Sequence, residues 1–149
     1  MAIDFSFPPE IDELRRKVRT FVDEIVRPAE ARIAEREGDR RFLIDEIIKM
    51  REEAHRRGLW LPHMPAEYGG MGLGLVDLGL VSEVLGRTPL GHFVFNCHAP
   101  DAGNIEILHL YGSDEQKGRW LGPLVAGTVR SCFSMTEVEM PGSNPVMME

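Results

Sequence analysis

The sequence predicts a mainly α-helical fold: five or six helices forming a bundle, followed by one short β-strand near the C-terminus. Two patterns predict it. Apolar residues recur at three- and four-residue steps in successive stretches as far as about residue 124. A period-two alternation appears over 129–135, where Val129, Ser131, Phe133 and Met135 share one face, and Arg130, Cys132, Ser134 and Thr136 share the other. The chain has 149 residues, 43% hydrophobic and 28% charged, which suits one ordinary domain with a real core rather than a disordered segment.

In chain order, Ser6-Phe7-Pro8-Pro9-Glu10 reads as a helix start, with prolines where a missing N–H costs little and an acid in the first turn. Ile11, Leu14, Val18, Phe21, Val22 and Ile25 then trace its apolar stripe. Pro28 is expected to kink or end this helix, leaving a charged connection after it. Most of these charges read as a solvated face. A second helix over about 41–57 is carried by Leu43, Ile44, Ile47, Ile48, Met50 and Ala54. Arg56 and Arg57 suit its negative end, and Gly58 suits the position just past it. Leu59–Pro62 is short, apolar and extended.

The loop MPAEYGGMGLG follows. It lacks the Lys-Ser/Thr of a P-loop and the GxGxxG register, so it reads as a close-packed turn pinned by Tyr68, not a phosphate cradle. Leu75, Leu78, Val81, Val84 and Leu85 mark a third helix, ended by Gly86. Thr88-Pro89 leads into a short fourth, whose apolar residues Leu90, Phe93, Val94 and Phe95 nearly surround it and imply burial. Pro100-Asp101 opens a fifth with Ile105, Leu108 and Leu110, stopped by Gly112. Ser113 and Gln116 then form a capping box for a sixth.

Composition excludes several functions. The net charge of −7 leaves no basic excess for general nucleic-acid binding. No basic and apolar leader opens the sequence, and no apolar run approaches the ~20 residues needed to span a bilayer. A soluble, cytoplasmic protein with reduced Cys97 and Cys132 is the expectation. The histidines, His55, His63, His92, His98 and His109, show no i, i+4 pairing, and no Cys-x-x-Cys is present, so no metal site is expected. Cys97 and His98, as helix neighbours, point apart and make a poor nucleophile pair. A serine-hydrolase elbow is missing.

The richest chemistry lies in 130–145. A strand with small hydroxyls on one face runs into Pro141-Gly142-Ser143-Asn144-Pro145, a stiff turn. Hydroxyls and free N–H groups there suit a flat polar ring and a phosphate. Gly112-Ser-Asp-Glu-Gln-Lys117, Trp120-Leu121-Gly122-Pro123-Leu124, Gly127 and Cys132-Phe-Ser-Met-Thr-Glu137 together closely resemble the acyl-CoA dehydrogenase family. The Pro65–Gly72 loop is similar to that family's P-x-E-Y-G-G-x-G. Departures fall at Val138, where the family usually has Pro, and at Asn144, where it often has Asp. Thr136 and Ser143 also stand one residue further apart than in the shortest versions of the motif.

The resemblance implies an N-terminal helical domain over 1–128 and the first strand and turn of a middle β-barrel domain over 129–149. It implies FAD as cofactor, acyl-CoA as substrate, and electron-transfer flavoprotein or a similar acceptor as partner, with a homo-oligomer or association with further domains. By the same resemblance, Phe133, Met135, Thr136 and Ser143 contact the flavin, Thr136 at the pyrimidine edge. Ser143 reaches the pyrophosphate or the thioester region. Glu137 belongs to the Thr-Glu turn and is not the proton-abstracting base, which the resemblance puts in a later helical domain. No catalytic residue is expected in these 149 residues. The alternative is a non-catalytic helical interaction module that binds a partner subunit.

Overall fold

Proline places the start of the first helix and, further on, its irregular turn. The structure, a computed structural model, describes residues 6–136, 138, 139 and 146. Helix α1 (Pro9–Phe21) begins on proline with Glu10 and Asp12 in its first turn, and it buries Ile11, Val18 and Phe21. The helix does not end at Pro28. It passes through a π turn, Val22–Val26, into α2 (Arg27–Ala34) with helical backbone angles at both junctions. The N–H of Arg27 reaches back five residues to Val22 O. Pro28 lacks an N–H and crowds the carbonyl four residues back, and the widened turn just upstream absorbs that conflict. The expected break is thus a change of helical register.

Asp39 caps α3 (Arg40–Arg56), its carboxylate accepting the Phe42 N–H at 3.0 Å. Gly58, at φ +67°, closes the far end, with its own N–H on His55 O and the Leu59 N–H on Ala54 O. Met50 and Ala54 are buried as their spacing predicts, but Ile44 and Ile48 stand half exposed. On the buried side stands Glu46, only 4% exposed. It pairs with Arg32 of α2 and with Lys49 at 2.8 Å, so it ties α2 to α3.

That pairing makes stability pH-dependent. The Lys49 hydrogen bond, with Arg32 adding to it and burial opposing, holds the Glu46 carboxyl below its ordinary value of 4.5. A lowered folded-state pKa gives stability that is present above the unfolded value and lost as pH falls through the folded one. Glu46→Gln is therefore expected to be less stable than the natural chain near neutral pH. The gap should shrink below the carboxylate range. Urea midpoints for both proteins, taken near neutrality and well below pH 4.5, measure this; a constant gap would contradict it.

Helix α4 (Leu75–Leu85) runs along α1, burying Val81, Val84 and Leu85. Leu75, placed on the same stripe by spacing, begins the helix and is 86% exposed. The short α5 (Gly91–Val94) sits between α3 and α4, and the Leu90 N–H before it donates to Glu30 at 2.9 Å. Phe21 and Phe95 meet edge to face at 5.2 Å in the centre of the core. Helix α6 (Asp101–Tyr111) follows, then α7 (Asp114–Gln116) under the Ser113–Gln116 capping box. A second π turn, Lys117–Leu121, runs into α8 (Gly122–Val125), and again a proline, Pro123, lies two residues past the widened turn.

The fold is mainly helical, as predicted. The short strand expected over 129–135 is a correction: the segment forms no ladder among the described residues. Alternation reports which side chains share a face, but a strand also needs a neighbouring backbone to pair with, and what Ser131 and Phe133 meet is helix α6.

Candidate functional site

Leu61, at φ +49°, turns the chain after α3 and opens the glycine-rich loop. The N–H groups around the loop's glycines are committed inward. Those of Gly70, Met71, Gly72 and Leu73 donate to Pro65 O, Leu61 O, Met64 O and Pro62 O, and those of Tyr68 and Gly69 to Pro65 O and Ala66 O. A phosphate cradle needs such groups free, so this loop is a packed turn. Tyr68 pins it, its ring edge-on to His109 at 5.2 Å.

The polar chemistry gathers instead where the chain leaves α8. Trp60 is 3% exposed, and its Nε1 donates to Val125 O at 2.9 Å. Gly127, at φ +69°, lies flat on the same indole, where a Cβ would come within 3.0 Å of the ring. Arg51 reaches over from α3, donating to Gly127 O at 3.3 Å and Phe93 O at 3.0 Å. Its guanidinium lies 4.7 Å from the Phe93 ring centre, and that of Arg130 lies 4.2 Å from the same ring. Burial, then the neighbouring Arg130 charge, pull the Arg51 pKa down to about 10, with Asp101 acting the other way. Arg51 stays charged at neutral pH. These groups, with Ile44, Ile48, His55 and Thr128, border an open groove of about 580 Å³.

Asp101, in the first turn of α6, is 2% exposed. Its Oδ1 accepts from the Ser131 N–H at 2.8 Å and from the Ser131 hydroxyl at 2.7 Å, and its Oδ2 pairs with Arg130. Asn104 donates to the Ser131 hydroxyl at 2.9 Å. Sequence spacing gave Asp101 only a role as helix opener, and nothing in the pattern linked it to residues 30 positions on.

Beyond this anchor, Phe133 is 54% exposed and Met135 49% exposed, and Thr136 is exposed too. Phe133 rests on α6, its ring 3.8 Å from where a Gly103 Cβ would stand. These residues offer apolar edges, a hydroxyl and main-chain donors outside any helix or ladder, a donor set that fits one side of a flavin ring. Ser143, the fourth residue expected at the flavin, lies outside the described residues.

Cys97 and Ser82 each have a local partner. Burial pushes the Cys97 thiol up to about 12, and its Sγ donates to His92 O rather than facing His98. His98 meets the Phe93 ring instead. Ser82 and His92 share a hydrogen bond at 3.0 Å, with burial lowering the His92 pKa. Among the described residues, no group of three His, Cys, Asp or Glu side chains could hold a metal, and no helix is long and apolar enough to cross a membrane.

Comparison with known proteins gives a consistent answer. The family model for the acyl-CoA dehydrogenase N-terminal domain matches residues 8–128. Acyl-CoA dehydrogenase family member 11 of Pongo abelii is 41% identical over 143 residues, covering 92% of this chain and 18% of that one. Acyl-CoA dehydrogenase family member 10 of Mus musculus is 36% identical over 148 residues, covering 95% of this chain and 14% of that one. A solved structure from Mycobacterium abscessus, described as an acyl-CoA dehydrogenase, superposes with a TM-score of 0.85 at 36% identity. It covers 97% of this chain and 38% of its own. The chain thus spans a minor part of each of these relatives.

Proposed function

Because the chain belongs to the acyl-CoA dehydrogenase family, we propose that it forms the N-terminal helical part of an FAD-dependent enzyme that oxidises the Cα–Cβ bond of acyl-CoA thioesters. The observation that carries this reading is the way the chain leaves the helical body. It is tied down at Ser131, while Phe133, Met135 and Thr136 beyond it stand open to a ligand. Flavin, when bound, supplies the hydride acceptor. The part of this chain is to orient and donate: the Thr136 hydroxyl toward the pyrimidine edge, Phe133 and Met135 along the ring, and Ser143 toward the pyrophosphate or thioester. The base that takes the α-proton belongs to another part of the protein. The proposal extends to electron-transfer flavoprotein or a similar acceptor, to a homo-oligomer, and to a cytoplasmic setting.

The 149-residue chain alone is then expected to be colourless and to leave acyl-CoA unchanged, because dehydrogenation needs acceptor, base and oxyanion donors together. A chimaera tests the reading directly. This chain, put in place of the matching part of the Mycobacterium abscessus protein, should give a yellow protein whose flavin is bleached by an acyl-CoA. Thr136→Ala should reduce its flavin content. A folded chimaera without flavin, or with flavin that no acyl-CoA bleaches, would overturn the proposal.

A further inference from the structure

We infer that Asp101 is a positioning residue: with Arg130 and Ser131 it forms a latch that fixes the outgoing chain on the first turn of α6 and sets which way Met135 and Thr136 face. The importance of that facing rests on the proposed flavin role; the latch itself does not.

A buried carboxylate is costly unless it is both paired and hydrogen-bonded. Asp101 has both, and from residues 29 and 30 positions away rather than from its own helix. It makes no side-chain cap, since Pro100 is the N-cap of α6 and gives none. Each partner is satisfied in turn. Ser131 donates twice to Asp101 and accepts from Asn104, and Arg130 stacks on Phe93. Upstream, Arg51 grips Gly127 O, so the chain is held on both sides of residues 128 and 129.

What such a network specifies is register. The accepted main-chain N–H belongs to Ser131 alone, and in extended backbone alternate side chains face opposite ways. Turning Ser131 toward α6 turns Phe133 the same way, and Phe133 does meet α6 at Gly103, two residues on from Asp101 just as Phe133 is two on from Ser131. By the same alternation Thr136 faces away. A slip of one residue would reverse this and point the Thr136 hydroxyl at the helix. An apolar contact in place of the latch would hold the segment without choosing between the two registers.

Hydrogen exchange of the 149-residue chain, followed by mass spectrometry with residue-level fragmentation, tests this without any flavin. The Ser131 amide should exchange about 10- to 100-fold more slowly than an unstructured one, the range expected for a hydrogen bond to a charged group. Arg130→Gln and Ser131→Ala should each weaken that protection and leave the helices unchanged, Ser131→Ala the less because the main-chain N–H at 131 can still donate to Asp101. Ser131→Thr, which keeps the hydroxyl, should restore it. Asp101→Ala, which removes the acceptor, should abolish it, and the Ser131 and Arg130 variants keep the test decisive if Asp101→Ala fails to fold. An unprotected Ser131 amide in the natural chain would overturn the latch. So would Arg130→Gln leaving the protection untouched. The flavin reading stands or falls separately, on the chimaera.

Discussion

Trp60→Ala is expected to lower stability by about 3–5 kcal/mol, the cost of emptying a large aromatic site in a core. Against a total of about 5–15 kcal/mol for a domain, that is a large share. The indole is 3% exposed and joins parts of the chain distant in sequence. Its Nε1 holds Val125 O at 2.9 Å, its face receives Gly127 and the Arg51 guanidinium, and His55 stacks on it at 3.9 Å. Truncation leaves the Val125 carbonyl without its donor and leaves Arg51 beside a void, so the loss should sit in the upper part of the range. Urea unfolding followed by far-UV circular dichroism measures it, with Trp120 as a second optical probe. A loss below about 1 kcal/mol would mean that the exit of α8 does not rest on Trp60.

The helices were legible because their stripes are long and their ends are punctuated. Asp101 and Gly58 stand where the pattern placed a start and a stop, and the Ser113–Gln116 box forms as written. The glycine-rich loop was legible by what it lacks, and its committed N–H groups supply the reason. Four features were not legible. Pro28 is a breaker in isolation, but a π turn upstream lets the helix carry it, and that choice belongs to the packing of α1, α2 and α3. Glu46 sits at a helical position that any charged residue could occupy on a solvated face; only the docking of α2 brings Arg32 over it. The alternation over 129–135 does describe facing, since Ser131 and Phe133 both turn toward α6, yet what they meet is a helix. The candidate flavin residues were named by motif, and the residue that anchors them, Asp101, was missed because its partners are non-local.

Gly70→Ala is expected to cost about 3 kcal/mol, at the upper end for forcing extra atoms into packed structure. A Cβ there would overlap Met64 O and come within 2.8 Å of Leu61 O. Both are main-chain atoms, so no rotamer change relieves the clash. Those same carbonyls accept the N–H groups of Gly72 and Met71, so pushing them away breaks the bonds that close the loop. Gly70 is not at positive φ, which makes the effect purely steric. Its neighbour provides the control. Gly69 is at φ +77° with nothing within 4 Å of an added Cβ, so Gly69→Ala meets only the left-handed backbone penalty, about 1–2 kcal/mol. Urea midpoints should therefore rank the natural chain first, Gly69→Ala second and Gly70→Ala last. Because Leu61 O also anchors the turn that follows Trp60, Gly70→Ala should speed hydrogen exchange at Met71 and Gly72 before it touches α1 or α4. Equal losses for the two alanines would show that the loop yields at Met64, and that the close approach at Gly70 does not hold its shape.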